Sequence, residues 1–129
     1  MTLEKDLRYG FQKEDELFNI IKKLDPNIIK TDDWSHIDYE SDNSVIELKS
    51  RRINHNQYDT ALINYCKIEY MLNSNKKSYI VYNYLDGIFY CEVNKEFLNK
   101  CHYNPNYHLH RENKTSKVLE IPYELLQIL

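Results

Sequence analysis

The stretch from Trp34 to Arg51 constrains the fold of this chain more than any other. Two runs that read as strands, Trp34–Glu40 and Ser44–Arg51, flank Ser41-Asp42-Asn43-Ser44, a cluster of turn-forming side chains. A hairpin centred on Asp42-Asn43 pairs residues whose numbers sum to 85, which sets Asp38 across from Glu47 and His36 across from Lys49. Side chains alternate along a strand, so Val45, Glu47 and Lys49 share one face while Ile46 and Leu48 share the other. Directly opposed side chains lie roughly 5 Å apart at Cβ, so Asp38 and Glu47 repel each other unless a proton or a cation sits between them. A divalent, oxygen-seeking ion resolves that repulsion, and Mg²⁺ characteristically takes one or two carboxylates together with water and phosphate oxygens. The pairing depends on register, because moving the turn centre by half a residue separates the two acids.

Around this hairpin the order of elements reads helix, strands, helix, strands. Leu7, Phe11, Leu17, Phe18, Ile21 and Leu24 recur at helical spacing from about Leu3 to Leu24, and Pro26 stops that helix. Asn27–Lys30 reads as a short strand. A second helix is expected over Gln57–Leu72, packing through Tyr58, Ala61, Leu62, Tyr65 and Leu72. Ser78–Tyr84 and Ile88–Val93 form a hairpin across Leu85-Asp86-Gly87. Asn99–Asn106 reads as a polar loop, followed by weaker strands at His108–Arg111 and Lys117–Ile121 and by a C-terminal helix that Pro122 opens. The pattern predicts a mixed α/β fold, built as one domain over residues 1–129.

Composition narrows the class of function. The net charge of −3 argues against a protein that coats nucleic acid through bulk positive charge, while leaving room for a local basic surface beside an acidic pocket. Cys66, Cys91 and Cys101 are scattered without paired spacing, which fits a reducing cytoplasm. No run approaches the ~20 apolar residues of a membrane span, so a soluble, unexported chain is expected. Cys101-His102 with His108 and His110 form an irregular set that lacks the two closely spaced ligand pairs of common zinc sites.

The first helix carries an acid in the wrong place for a bland surface. Glu14 falls inside the stripe of Phe11, Leu17, Phe18 and Ile21, where a carboxylate is costly unless paired or bound to a metal. Asp15 and Glu16 beside it point toward solvent. The order Gly10-x-x-x-Glu14 on a helix, Ile37-Asp38 on a strand and Val45-Ile46-Glu47-Leu48-Lys49 on the next resembles the PD-(D/E)XK, or restriction-endonuclease-like, nuclease superfamily. It is most similar to small phage-encoded or Holliday-junction-resolvase-like members. The resemblance covers roughly residues 5–93 and departs from the motif in one place, with Ile37 where the family carries proline.

The resemblance implies a restriction-endonuclease-like core: a central mixed β-sheet flanked by helices in α-β-β-β-α-β order. It implies a Mg²⁺-dependent nuclease acting on DNA, with Mn²⁺ as a substitute ion. Asp38 and Glu47 are then metal ligands, Glu14 a third acid and Lys49 the lysine that positions the attacking water. Arg51, Arg52 and Lys67 are candidate contacts to the DNA backbone. The expected location is the cytoplasm, that of the host if the chain is phage-encoded, and a homodimer is the natural way for so small a domain to cut two strands. The rival reading is a catalytically inactive module of the same fold that binds DNA or a protein partner. A purely structural α/β domain requires Glu14 to face water. Tyr58 is expected in the core, and His36 behind the pocket or on the surface rather than at the pocket edge.

Overall fold

A computed structural model describes residues 15–109 and 112–129. Residues 15–21 are helical (α1), and a turn then leads to Pro26. Short strands follow at Ile29–Lys30 (β1) and Tyr39–Glu40 (β2), then the seven-residue strand Ser44–Ser50 (β3). Next come Thr60–Asn64 (β4), the helix Tyr65–Asn73 (α2) and the hairpin Lys77–Tyr84 (β5) and Gly87–Val93 (β6). The chain ends with the short helix Lys95–Leu98 (α3), strands His102–Leu109 (β7) and Lys114–Pro122 (β8), a 3-10 turn at Tyr123–Leu125 and Gln127–Ile128 (β9).

The central sheet is mixed and six-stranded, in the order β1-β2-β3-β5-β6-β9. All its neighbours are antiparallel except β3 and β5, which run parallel and therefore need a crossover, supplied by β4 and α2. A second, three-stranded sheet has the order β4-β8-β7. The alternation expected for β3 divides the core in two. Val45 joins Ile80, Tyr82, Phe89 and Cys91 on the face covered by Ile68 and Met71 of α2 and by Ala61, Ile63, Leu119 and Ile121 of the second sheet. Ile46 joins Tyr39 and Val81 on the opposite face, under Leu17 and Ile21 of α1. This is a mixed central sheet flanked by helices. Among the described residues no helix is long and apolar enough to cross a membrane.

Four local expectations are corrected. The strand expected from Trp34 shrinks to Tyr39–Glu40, with Trp34 93% exposed in a turn where Asp32 accepts from its main-chain N–H. The helix expected from Gln57 begins at Tyr65. Thr60–Asn64 instead forms β4, where Ala61 and Ile63 alternate inward and pair with β8, and Tyr58 stands 62% exposed rather than in the core. Leu72 likewise faces outward, its packing role taken by Ile68 and Met71. The polar run after Asn99 belongs to β7, an edge strand whose irregular register between Asn104 and Tyr107 accommodates Pro105. Pro122 ends β8 rather than opening a helix, and only a 3-10 turn follows it.

Asn64 joins β4 to α2 as the helix N-cap, its Oδ1 accepting the Cys66 main-chain N–H at 3.1 Å. Asn64→Ala should cost about 1 kcal/mol, read as a lower urea midpoint at unchanged m-value. A midpoint within error of the parent would show that the cap contributes nothing to the placement of α2.

Candidate active site

The hairpin register places the acids together. Tyr39 pairs with Ile46 and Glu40 with Val45, so the numbers sum to 85 and Asp38 comes opposite Glu47. Three tethers hold that register. Ser41 Oγ accepts the main-chain N–H groups of Asn43 and Ser44 at 3.1 and 3.0 Å and donates to Asp25 Oδ2 at 2.5 Å. Asp25 is buried at the end of the α1 turn, and its bonds to Ser41, Asn27 and Ser44 hold its carboxyl below the usual aspartate range. Thr31 then fixes the chain before β2, its N–H and Oγ1 each donating to the Asp38 carbonyl at 3.0 Å and its Oγ1 also to that of Ile37.

With the Ile37 carbonyl turned to Thr31, the main-chain N–H of Leu48 finds a different acceptor. Asp38 Oδ2 takes it at 2.8 Å. The ladder between β2 and β3 gives way there to a side chain, which draws the half-buried Asp38 carboxylate against β3. Glu47 lies beside it on the sheet face that looks toward α2, flanked by Ile80 on β5, and is 2% exposed. Burial pushes the Glu47 carboxyl up to about 7, and its hydrogen bond and charge interaction with Asp38 push in the same direction. Lys67 on α2 opposes the rise, with Nζ 3.0 Å from Glu47 Oε2. The contact is a close ion pair, and the buried Oε2 accepts no well-directed hydrogen bond among the described residues. Lys67 also donates to the His36 carbonyl, and the His36 ring lies 5.6 Å from that of Tyr70 on the same helix.

Lys49 is half-buried on the same face of β3, two residues beyond Glu47 and level with Tyr82 on β5. Arg51 and Arg52 continue past the end of β3, both exposed. Arg51 donates to the Ser50 carbonyl at 3.0 Å. Lys67, expected as a contact to the DNA backbone, is turned to Glu47. Glu14, expected as a third acid, lies outside the described residues, as does His110. Among the described residues no cluster of three or more His, Cys, Asp or Glu side chains forms a ready-made metal cage.

An open polar cleft of about 620 Å³ runs along Ile29–Asp32, Glu40–Asn43 and Lys76, and its lining includes none of Asp38, Glu47, Lys49 or Lys67. Lys76 there is fully engaged, with Glu40 Oε1 and the Ser41 carbonyl each at 2.8 Å.

The sequence does not mark Asp25 or Thr31 as residues that shape the site. For Lys67 a signal existed: it stands four residues before the buried Met71, on the apolar side of the helix that begins at Tyr65. Comparison with protein-family models, curated proteins and solved structures yields no significant match.

Proposed function

We propose that this chain is a Mg²⁺-dependent nuclease of the PD-(D/E)XK type, hydrolysing phosphodiester bonds in DNA. The observation that carries the reading is the Glu47 carboxyl, buried against Asp38, whose Oε2 lies 3.0 Å from the Lys67 ammonium and accepts no well-directed hydrogen bond among the described residues. A buried carboxyl beside a second acid, met only by a poorly directed ion pair, costs stability and suits a divalent cation with oxygen ligands. Two carboxylates are enough for Mg²⁺, whose remaining positions go to water and phosphate. The element order supports the reading too: a helix, a three-stranded antiparallel run and a crossover helix leading to a parallel strand follow the α-β-β-β-α-β order that the motif resemblance implies, with β4 inserted.

Asp38 and Glu47 would hold the ion, joined by Glu14 directly or through water. When bound, it supplies Lewis-acid activation of water and neutralises charge on the phosphate. Lys49 serves beside it. Among the described residues its ammonium has no ion pair, which leaves it available to orient the attacking water and to offset negative charge on the phosphate. Arg51 and Arg52 supply exposed positive charge for the DNA backbone at the end of the same strand.

One observation favours the second reading, a catalytically inactive nuclease-fold module that binds DNA or a protein partner. The Lys67 ammonium already offsets the Glu47 charge. The two readings part when purified protein is incubated with linear, circular and branched DNA in Mg²⁺ or Mn²⁺, with EDTA as the control. Cleavage that EDTA abolishes is the expected result, and intact DNA of every form under both ions would leave the inactive module.

A further inference from the structure

The contact between Lys67 and Glu47 differs from an ordinary structural ion pair. Lys76 and Glu40 show the ordinary kind, a directed hydrogen bond at 2.8 Å with a backbone carbonyl completing the ammonium's partners. Lys67 comes within 3.0 Å of Glu47 Oε2 without a well-directed hydrogen bond to it, and its directed bond goes to the His36 carbonyl. Exposure is unequal as well. The Glu47 side chain is 3% exposed on a central strand, whereas that of Lys67 is 24% exposed on a flexible four-carbon stem. Ile68 and Met71 pin α2 to the core, so the ammonium can turn outward into water while the helix stays in place.

We propose that Lys67 is the resident counter-cation of the Asp38–Glu47 pair and has to leave Glu47 before the pair can take a divalent ion. The inference rests on the metal-dependent reading above. Mg²⁺ ligands sit at about 2.0–2.1 Å, and an oxygen already in contact with an ammonium cannot take a second cation at that range without strong repulsion. On release, Lys67 swings toward the open side of the site, where a phosphate oxygen is the natural new partner. Divalent ion and polyanionic substrate therefore reinforce each other's binding, and in the free protein the ammonium holds the affinity for the ion down.

The test is a titration of the EDTA-stripped full chain with Mn²⁺, followed by calorimetry and by the electron paramagnetic resonance of the free ion. The pH is set above the range in which Glu47 takes a proton. Lys67→Met and Lys67→Gln should bind Mn²⁺ about tenfold more tightly than the parent, since the competing positive charge is gone. Lys67→Arg keeps the charge and should stay close to the parent. Circular dichroism melts identify which variants are folded, and the Gln variant decides the comparison if the Met variant is not. Equal or weaker binding by the neutral variants, with binding still abolished in Asp38→Asn, overturns the role of Lys67 and leaves the metal site standing. Absence of Mn²⁺ binding by the parent and every variant overturns both.

Discussion

Glu47→Ala and Lys49→Ala are each expected to remove Mg²⁺-dependent DNA cleavage while leaving the protein folded. The two losses differ in kind. Glu47 is the more deeply buried member of the acid pair, 2% exposed, and its removal leaves the half-buried Asp38 as the lone described carboxylate of the site. Binding of the ion should fall together with the rate. Lys49 is not expected to be a ligand. Loss of one preorganised charge at a transition state costs about 10²- to 10³-fold in rate, so Lys49→Ala should cut that much more slowly while Mn²⁺ affinity holds. Folding survives both changes for local reasons. Lys67 loses its partner in Glu47→Ala but is 24% exposed and can turn to water, and Lys49 has no ion pair among the described residues to lose. The measurement is the initial cleavage rate at saturating Mg²⁺, set beside Mn²⁺ affinity and circular dichroism for each variant. Undiminished metal-dependent cutting by both variants would sink the assignment of this site.

The acid pair was legible in the sequence because it depends on local chemistry. Ser41, Asp42 and Asn43 favour a tight turn whatever surrounds them, and one turn fixes the register of every residue along both arms. The two faces of β3 followed from alternation alone. The stretch before α2 was not legible for the opposite reason. Tyr58, Ala61, Leu62 and Tyr65 recur at helical spacing, yet Ala61 and Ile63 also alternate, and the choice between these patterns is made by β8, more than fifty residues later, where Ile121 and Leu119 pair with them. A helix begun at Gln57 sets its inward face along Tyr58, Ala61, Leu62, Tyr65 and Leu72, whereas one begun at Tyr65 turns Ile68 and Met71 inward and brings Lys67 to Glu47. Strand β7 is exposed along most of its length and carries polar side chains and Pro105, so its sequence reads as a loop until β8 is there to pair with it.

In EDTA, the protein should lose stability as the pH rises from 4.5 to about 7, through Glu47 alone. The ordinary glutamate value of 4.5 applies to the unfolded chain, and the folded value is about 7, raised first by burial and then by Asp38. Within that window the folded state keeps a proton that the unfolded state has released, so each step up in pH favours unfolding. The penalty is absent below 4.5, complete above about 7, and amounts to roughly 3 kcal/mol for a shift of that size. Asp25 acts with the opposite sign. Its folded value lies below the ordinary 3.8, so the stability it contributes is present above 3.8 and is lost only as the pH falls further. The two effects occupy different ranges and do not cancel. Urea melts of the parent and of Glu47→Gln at several pH values read the contribution of Glu47 together with its coupling to Asp38. The difference in stability between parent and variant should shift in favour of the variant across the window. Parallel curves would show that Glu47 is not the buried acid responsible. Mn²⁺ supplies the link to function, since an ion that binds only the folded state at a hundred times its Kd adds about 2.7 kcal/mol. Its addition should raise the stability of the parent at neutral pH by an amount comparable to that lost through Glu47, and leave that of Glu47→Gln unchanged.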